Sequence, residues 1–177
     1  MQESMEVAFA EERPAGWVRR ILQQLSQGFA LAGGLLLLGL IGMSVVSIIG
    51  RKLFATPVRG DMELIEVGAA VAIAAFLPLC ELRGEHIRVD ALSAWLPQPV
   101  RTGLDVLAHL LCALVAGLLA WRTWLQMLDN REYGDTTTLL ALPLWLPLLL
   151  IVPSLVLLGL CALARAGEVW RGVGRLS

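Results

Sequence analysis

The chain has 177 residues, of which 57% are hydrophobic and only 16% are charged, and its mean hydropathy is +0.72. Soluble domains typically carry about 25% charged residues, so this composition excludes an ordinary water-soluble domain and indicates a membrane protein. The formal net charge of −1 gives no basis for nucleic-acid binding or for a strongly basic protein of the membrane surface.

The cysteines and the N-terminus narrow the possibilities further. Cys80, Cys112 and Cys161 lie in apolar stretches, and no two of them form a C-x-x-C pair. We therefore expect them to pack as small side chains rather than to form a metal or redox site. Several glutamates occur in the first twenty residues, whereas a secretory signal begins with a positively charged segment. We predict that the first apolar helix stays uncleaved.

The first predicted element is a membrane span with an amphipathic lead-in. No charged residue occurs from Ile21 to Gly50, and a bilayer core requires roughly 20 apolar residues in helical conformation. The sequence therefore predicts a first span over about residues 27–50. Residues 17–25 alternate apolar and polar side chains at helical spacing, which predicts a helical lead-in that lies in the membrane surface.

Three more apolar segments follow the first. They predict spans over about residues 62–82, 101–128 and 139–164. Pro78 lies late in the second span, where its missing N–H should bend the helix. The predicted fold is an all-α integral membrane protein, a four-transmembrane-helix bundle that forms a single membrane domain over residues 1–177.

The distribution of positive charge predicts the orientation. Nine of the 14 Lys and Arg residues fall on the side of the spans that also holds both chain ends. Because cytoplasmic loops retain Lys and Arg, this asymmetry predicts that both termini are cytoplasmic.

Small residues are dense in the first two predicted helices. They include Gly28, Ala32, Gly39 and Gly42 in the first span and the segment 68–75 in the second. Small side chains let helix backbones approach closely in lipid. The pattern therefore predicts packing surfaces, either within the chain or against a partner.

Two glutamates open the second span. Glu63 and Glu66 are three residues apart, so they share a helix face near the outer surface. Ionisable groups inside spans are costly and are often functional, so an ion or proton site is one interpretation. We favour a pair at the water interface, bonded to Arg59 or to a basic group of a partner, because no deeper carboxylate continues a pathway.

A second ionisable pair opens the third span. Asp105 and His109 are four residues apart, so they share a face and could form a hydrogen bond, and Asp105 suits the helix dipole of a first turn. A haem held between two histidines is disfavoured, because the other histidine, His86, lies in a loop. The sequence also lacks the motifs of nucleotide-binding and hydrolytic enzymes. We therefore predict no catalytic residue, cofactor or metal ligand in this chain, and no enzyme activity.

The loop between the second and third spans is the most distinctive segment. The apolar residues of 87–96 recur at helical spacing, which predicts a short interfacial helix that begins after Gly84 and ends at Pro97. His86 and Asp90 are four residues apart and should lie on one side of its first turn. On this basis the segment is a docking or anchoring element.

This loop also carries a family resemblance. The motif Arg83-Gly84-x-His86-Ile87-x-Val89-Asp90 follows the span opened by the two glutamates, and Arg51-x-x-Phe54 closes the first span. Together with the four spans, the size and the inward termini, this motif resembles the small membrane subunit of tripartite ATP-independent periplasmic (TRAP) transporters, the DctQ-like family. The candidate structural or partner-binding residues are Glu63, Glu66, Arg83, His86, Asp90, Asp105 and His109.

The resemblance implies partners and a role. Small subunits of this family pair with a large permease subunit, which carries the sodium and substrate sites and moves by an elevator mechanism. A periplasmic binding protein delivers the substrate, commonly an organic acid. The chain would then be a static brace in the bacterial inner membrane, surrounded by lipids, and the coupling sodium ions would bind to the large subunit.

Two other functions remain open at this point. The chain could be a self-contained small transporter that works through Glu63 or Glu66, although both lie at the end of an apolar run. It could also be the membrane anchor of a redox enzyme, which the number of histidines disfavours.

Overall fold

Four long helices make up most of the structure. The computed structural model describes residues 17–54, 60–83 and 98–173, and the helices within these ranges are α1 Trp17–Phe54, α2 Asp61–Arg83, α3 Gln98–Tyr133 and α4 Trp145–Val173. Each of them is long and apolar enough to cross a membrane. The all-α fold with four transmembrane helices is therefore confirmed.

Because the chain crosses the membrane four times, the helix ends define two sides. We call the end at which α1 begins and α4 ends the terminal side, and the end at which α1 ends and α4 begins the loop side. The predicted interfacial helix over residues 87–96, with His86 and Asp90, lies outside the described residues.

The lead-in is helical, and it continues into the first span without a break. At about 1.5 Å per residue, the 38 residues of α1 extend for roughly 57 Å, well beyond the ~30 Å of the hydrocarbon core. Its apolar face packs inside the bundle, because Leu22 is buried in a cluster with Leu82, Leu157 and Cys161. The lead-in thus contributes to the bundle core.

The fourth helix begins at Trp145, six residues later than the sequence predicts. Residues 134–144 instead form a compact turn, in which the Thr137 N–H donates to the Leu142 carbonyl at 2.9 Å. In return, the Leu142 N–H donates to Oγ1 of Thr137 at 3.1 Å. A threonine side chain that bonds the nearby backbone competes with helix formation, which explains the later start.

The helices pack in the order α1, α2, α4, α3. Helix α2 contacts both α1 and α4, and α3 packs mainly on α4. A second apolar cluster joins the last two helices through Ala116, Ala120, Leu155 and Leu158. Large apolar side chains remain exposed on all four helices, as expected for surfaces that face lipid or other membrane helices.

The α1–α2 contact depends on small residues. A Cβ atom at Gly33 would lie 3.0 Å from Cβ of Ala75 and 3.1 Å from the Ala72 carbonyl oxygen. On the other helix, a Cβ atom at Gly68 would lie 2.7 Å from Cδ1 of Leu40. Part of the predicted small-residue surface is thus used within the chain, where it brings two backbones close together.

Pro78 is accommodated by a side chain of a neighbouring helix. A proline cannot donate to the carbonyl four residues earlier, which here is that of Ala74. The buried hydroxyl of Ser154 on α4 donates a hydrogen bond to this carbonyl oxygen. Serine side chains commonly satisfy backbone groups freed by proline within membranes. The proline therefore creates an attachment point between α2 and α4.

Candidate functional site

Polar groups along α2 connect it to its neighbours. At the start of the helix, Oδ2 of Asp61 accepts a hydrogen bond from the hydroxyl of Ser47 at 2.5 Å and lies 3.6 Å from Nη2 of Arg51. Both partners belong to the end of α1. The Asp61 side chain is largely buried, whereas that of Arg51 is 60% exposed, so the serine hydroxyl is the better shielded partner.

Glu63 binds the connection between α3 and α4. Its two carboxylate oxygens accept hydrogen bonds from the backbone N–H groups of Leu139 at 2.7 Å and Leu140 at 3.0 Å. The Leu140 side chain packs against Gly60 and leaves no space for a Cβ atom there, and the φ of Gly60, +75°, also favours glycine. We expected Glu63 to pair with Arg59 or a partner. Arg59 lies outside the described residues, and backbone amides of the chain itself hold this carboxylate.

Glu66 behaves differently from its neighbour. It is exposed on the surface of α2, and among the described residues it forms no hydrogen bond or ion pair. The exposed residues Met62, Ala70 and Ile73 lie at helical spacing on the same face. The structure therefore separates the two predicted site residues, because Glu63 faces the chain and Glu66 faces outward.

The terminal half of the bundle contains a buried polar contact. Nδ1 of His109 on α3 lies 2.7 Å from Oε1 of Glu81 on α2, and the two side chains are 12% and 1% exposed. The expected hydrogen bond between His109 and Asp105 is absent from the described structure, because the imidazole turns toward the neighbouring helix. This contact connects α2 directly to α3, which packs mainly on α4.

Two further contacts complete this end of the bundle. The hydroxyl of Ser26 on α1 lies 3.6 Å from Sγ of Cys161 on α4, and both residues are buried. Nε of Arg19 lies 3.6 Å from Oε1 of Glu168, which also joins α1 to α4. Arg83, another predicted site residue, is exposed at the end of α2 and has interactions of its own.

Several of these residues were missed by the sequence analysis. Asp61, Glu81 and Ser154 give no strong local signal, because their roles depend on which helix lies beside them. Pro78 was expected to bend the helix, but the sequence did not indicate that Ser154 bonds the Ala74 carbonyl. Among the described residues, no three His, Cys, Asp or Glu side chains come together in a way that could hold a metal ion.

The outward face of α1 is the other notable feature. Gly28, Ala32, Leu35, Gly39 and Gly42 follow one another at spacings of four, three, four and three residues, and all are exposed. These spacings place them on one side of a helix. A Cβ atom at any of the three glycines would meet no atom of the described chain within 4 Å. We call these five residues the outward stripe.

Comparison with known families decides what kind of protein carries these features. The family model described as "Tripartite ATP-independent periplasmic transporters, DctQ component" matches residues 40–172, which is most of the chain. The chain belongs to this family. The match includes all of α2 and α3 and nearly all of α4. Searches of curated proteins and of solved structures give no match.

Membership of the DctQ family confirms the resemblance found in the sequence. It identifies the chain as a component of a multi-pass membrane transporter. The family also implies association with other TRAP components. A chain that associates with other subunits does so through its outward surfaces, so these surfaces are functional candidates together with the internal polar contacts.

Proposed function

We propose that this DctQ protein is the small permease subunit of a TRAP-type secondary transporter in the bacterial inner membrane. It braces a large permease subunit during sodium-coupled uptake of an organic acid that a periplasmic binding protein delivers. Sodium and substrate bind to the large subunit. The family match supports the assignment to TRAP transport, and the internal contacts of the chain support the role of a brace.

The observation that carries the brace role is the use of polar groups as attachments between helices. The carboxylates of Asp61, Glu63 and Glu81 each contact a side chain or backbone group of another element. A carboxylate that carried an ion would need to exchange these ligands during each cycle. Held as they are, the three groups stabilise one arrangement of the helices, which is what a static scaffold requires.

The outward stripe of α1 is the surface that fits the large subunit. Without a hydrophobic driving force between helices in lipid, association depends on close van der Waals packing, and small residues permit it. The glycines of the stripe have open space in front of them, whereas Gly33 on the opposite face of α1 already contacts α2. A helix of the large subunit would occupy this space.

Co-purification tests this proposal. A tagged chain is co-expressed with its large permease subunit, and the amount of large subunit recovered is measured for Gly39→Leu and Gly117→Leu. Both glycines have no described atom within 4 Å of the added Cβ position, but Gly117 lies on α3. Overpacking an interface costs about 1–3 kcal/mol, which corresponds to roughly 5- to 150-fold in affinity. We expect such a loss for Gly39→Leu alone.

Two results would contradict the proposal at different points. If the wild-type chain recovers no large subunit, the assignment as a small permease subunit fails. If Gly117→Leu abolishes recovery while Gly39→Leu does not, the assignment stands but the binding surface is wrong.

The orientation is part of the same proposal. The excess of Lys and Arg on the terminal side supports cytoplasmic termini, which places the turn over residues 134–144 in the periplasm. A cysteine introduced at Asp135 should react with a membrane-impermeant thiol reagent in intact cells. Protection of this cysteine in intact cells, with reaction after permeabilisation, would reverse the orientation.

A self-contained transporter is the second candidate, and Glu66 is the observation that favours it. This exposed carboxylate on a membrane-spanning helix has no partner among the described residues. Uptake by the reconstituted complex separates the two functions. The brace role predicts that Glu66→Gln leaves the sodium dependence of uptake unchanged, whereas a transport role for Glu66 predicts that it changes.

A further inference from the structure

A polar cavity opens on the terminal side of the bundle, away from the outward stripe. Its volume is about 340 Å³, and it lies between α1, α2 and α4. This volume falls within the range of roughly 300–1,000 Å³ that is typical of small-molecule sites. The residues that line it are Arg19, Gln23, Leu79, Leu82, Arg83 and Arg165.

Three positively charged side chains line this cavity. Arg19, Arg83 and Arg165 contribute one guanidinium group each, from three different helices. Among the described residues, Glu168 lies 3.6 Å from Arg19 and balances part of this charge, whereas Glu81 contacts His109. Guanidinium groups hydrogen-bond phosphate in a bidentate manner, so three of them around one cavity form a suitable binding site for a phosphate group.

Arg165 supplies a second observation at the same cavity. Its Nε atom is buried, and it has no hydrogen-bond partner among the described residues. A buried donor without a partner costs free energy, and native structures seldom leave one without a hydrogen-bond partner. Arg165 lines the cavity, so an anion bound there could accept hydrogen bonds from its guanidinium group.

The depth of the cavity identifies the source of the phosphate. Arg19 follows Trp17 by two residues, and Arg165 precedes Trp170 by five. Both tryptophans are mostly exposed, at 75% and 70%, and exposed tryptophans of membrane helices lie at the level of the lipid headgroups. Leu79 and Leu82 provide an apolar wall beside the arginines, which suits the glycerol and upper acyl region of a phospholipid.

We propose that this cavity binds the headgroup of an anionic phospholipid. Basic cavities between transmembrane helices bind such headgroups on the cytoplasmic side of membranes. The phosphate accepts hydrogen bonds from Arg165 and Arg19, and the lipid fills the space between α1, α2 and α4. The bound lipid thereby links three helices at the end of the bundle where the chain itself leaves a donor unsatisfied.

Lipid titration of the purified full-length chain in detergent tests this proposal. Retention of phosphatidylglycerol and of phosphatidylcholine is measured by native mass spectrometry, and thermal stability is recorded with each lipid and with sodium phosphate. We expect phosphatidylglycerol to be retained and to raise the melting temperature, with little effect of phosphatidylcholine. Arg165→Gln should weaken phosphatidylglycerol binding by roughly tenfold, since it removes hydrogen bonds to a charged group.

The matched control is Arg122→Gln, which removes one exposed positive charge from α3 outside the cavity. It should leave phosphatidylglycerol binding unchanged. Arg19→Gln, a milder change at a half-exposed residue, should weaken binding and keeps the test valid if Arg165→Gln does not fold. Wild-type affinity in both cavity variants would overturn the proposal. Equal protection by sodium phosphate without lipid would assign the cavity to a soluble anion and also overturn it.

Discussion

Two faces of the same helices have similar compositions but different surroundings. On α1, Gly33 contacts α2 so closely that a Cβ atom would crowd Ala75, whereas Gly39 faces open space. On α2, Glu81 is 1% exposed and contacts His109, whereas Glu66 is exposed without a described partner. We call Gly33 and Glu81 inward residues, and Gly39 and Glu66 outward residues.

The comparison shows that residue type alone does not reveal what a membrane helix binds. A small residue permits close packing wherever a second helix is available, and a carboxylate needs a partner wherever water is scarce. The inward residues already have their partners, so their substitution should affect the isolated chain. The outward residues should affect only the assembled complex.

The largest difference is expected between the two glutamates. Glu81→Ala removes one member of a buried polar pair and should lower the free energy of unfolding by about 2–4 kcal/mol, between the values for a hydrogen bond to a charged group and for a broken buried ion pair. Glu66→Ala should change it by less than about 0.5 kcal/mol. Thermal unfolding of the isolated chain in detergent measures both. Similar melting temperatures for the two variants would contradict the distinction between inward and outward residues.

The effects of leucine substitution on stability should differ somewhat less between the two glycines. Gly33→Leu forces a side chain into the contact with Ala72 and Ala75, and overpacking of this kind costs about 1–3 kcal/mol. Gly39→Leu should leave the isolated chain as stable as the wild type, because the added side chain enters open space. The same unfolding measurement applies. Destabilisation by Gly39→Leu in the absence of any partner would mean that the outward stripe is packed within the chain.

The smallest effect concerns the carbonyl freed by Pro78. Ser154→Ala removes the hydroxyl that donates to the Ala74 carbonyl and should cost about 1 kcal/mol, in the range of interhelical hydrogen bonds within membranes. Ser44→Ala is the matched control. The Ser44 hydroxyl donates to the Leu40 carbonyl of its own helix at 2.8 Å, and that carbonyl keeps its backbone donor. An equal loss of stability in both variants would show that the Ala74 carbonyl, which Pro78 leaves without its backbone donor, does not depend on the Ser154 hydroxyl.

The sequence predicted the features that depend on local pattern. Long apolar runs locate four spans because every lipid-facing segment must be apolar and helical, and the motif around Arg83 and His86 indicated the family. The fourth helix was placed too early because the apolar run from residue 139 includes a turn, stabilised by Thr137, that hydropathy does not detect.

The site was less predictable because it depends on which helices are neighbours. Glu63 and Glu66 look alike in the sequence, yet the connection between α3 and α4 lies beside only one of them. The sequence indicated His109 as a candidate because it is a polar residue of a span, but its contact in the structure, Glu81, is 28 residues away in the chain. Small residues occur on both faces of α1, so the sequence did not show which face packs within the chain. Only the packing order of the helices distinguishes these cases.

Photo-crosslinking tests the central claim, that the outward stripe of α1 binds the large subunit, most directly. A photoreactive amino acid replaces Leu35 in the stripe or Leu114 on α3, two leucines with similar exposure of 70% and 65%, in cells that also produce the large permease subunit. The account predicts a crosslink to the large subunit from position 35 and none from position 114. A crosslink from position 114 alone would contradict it.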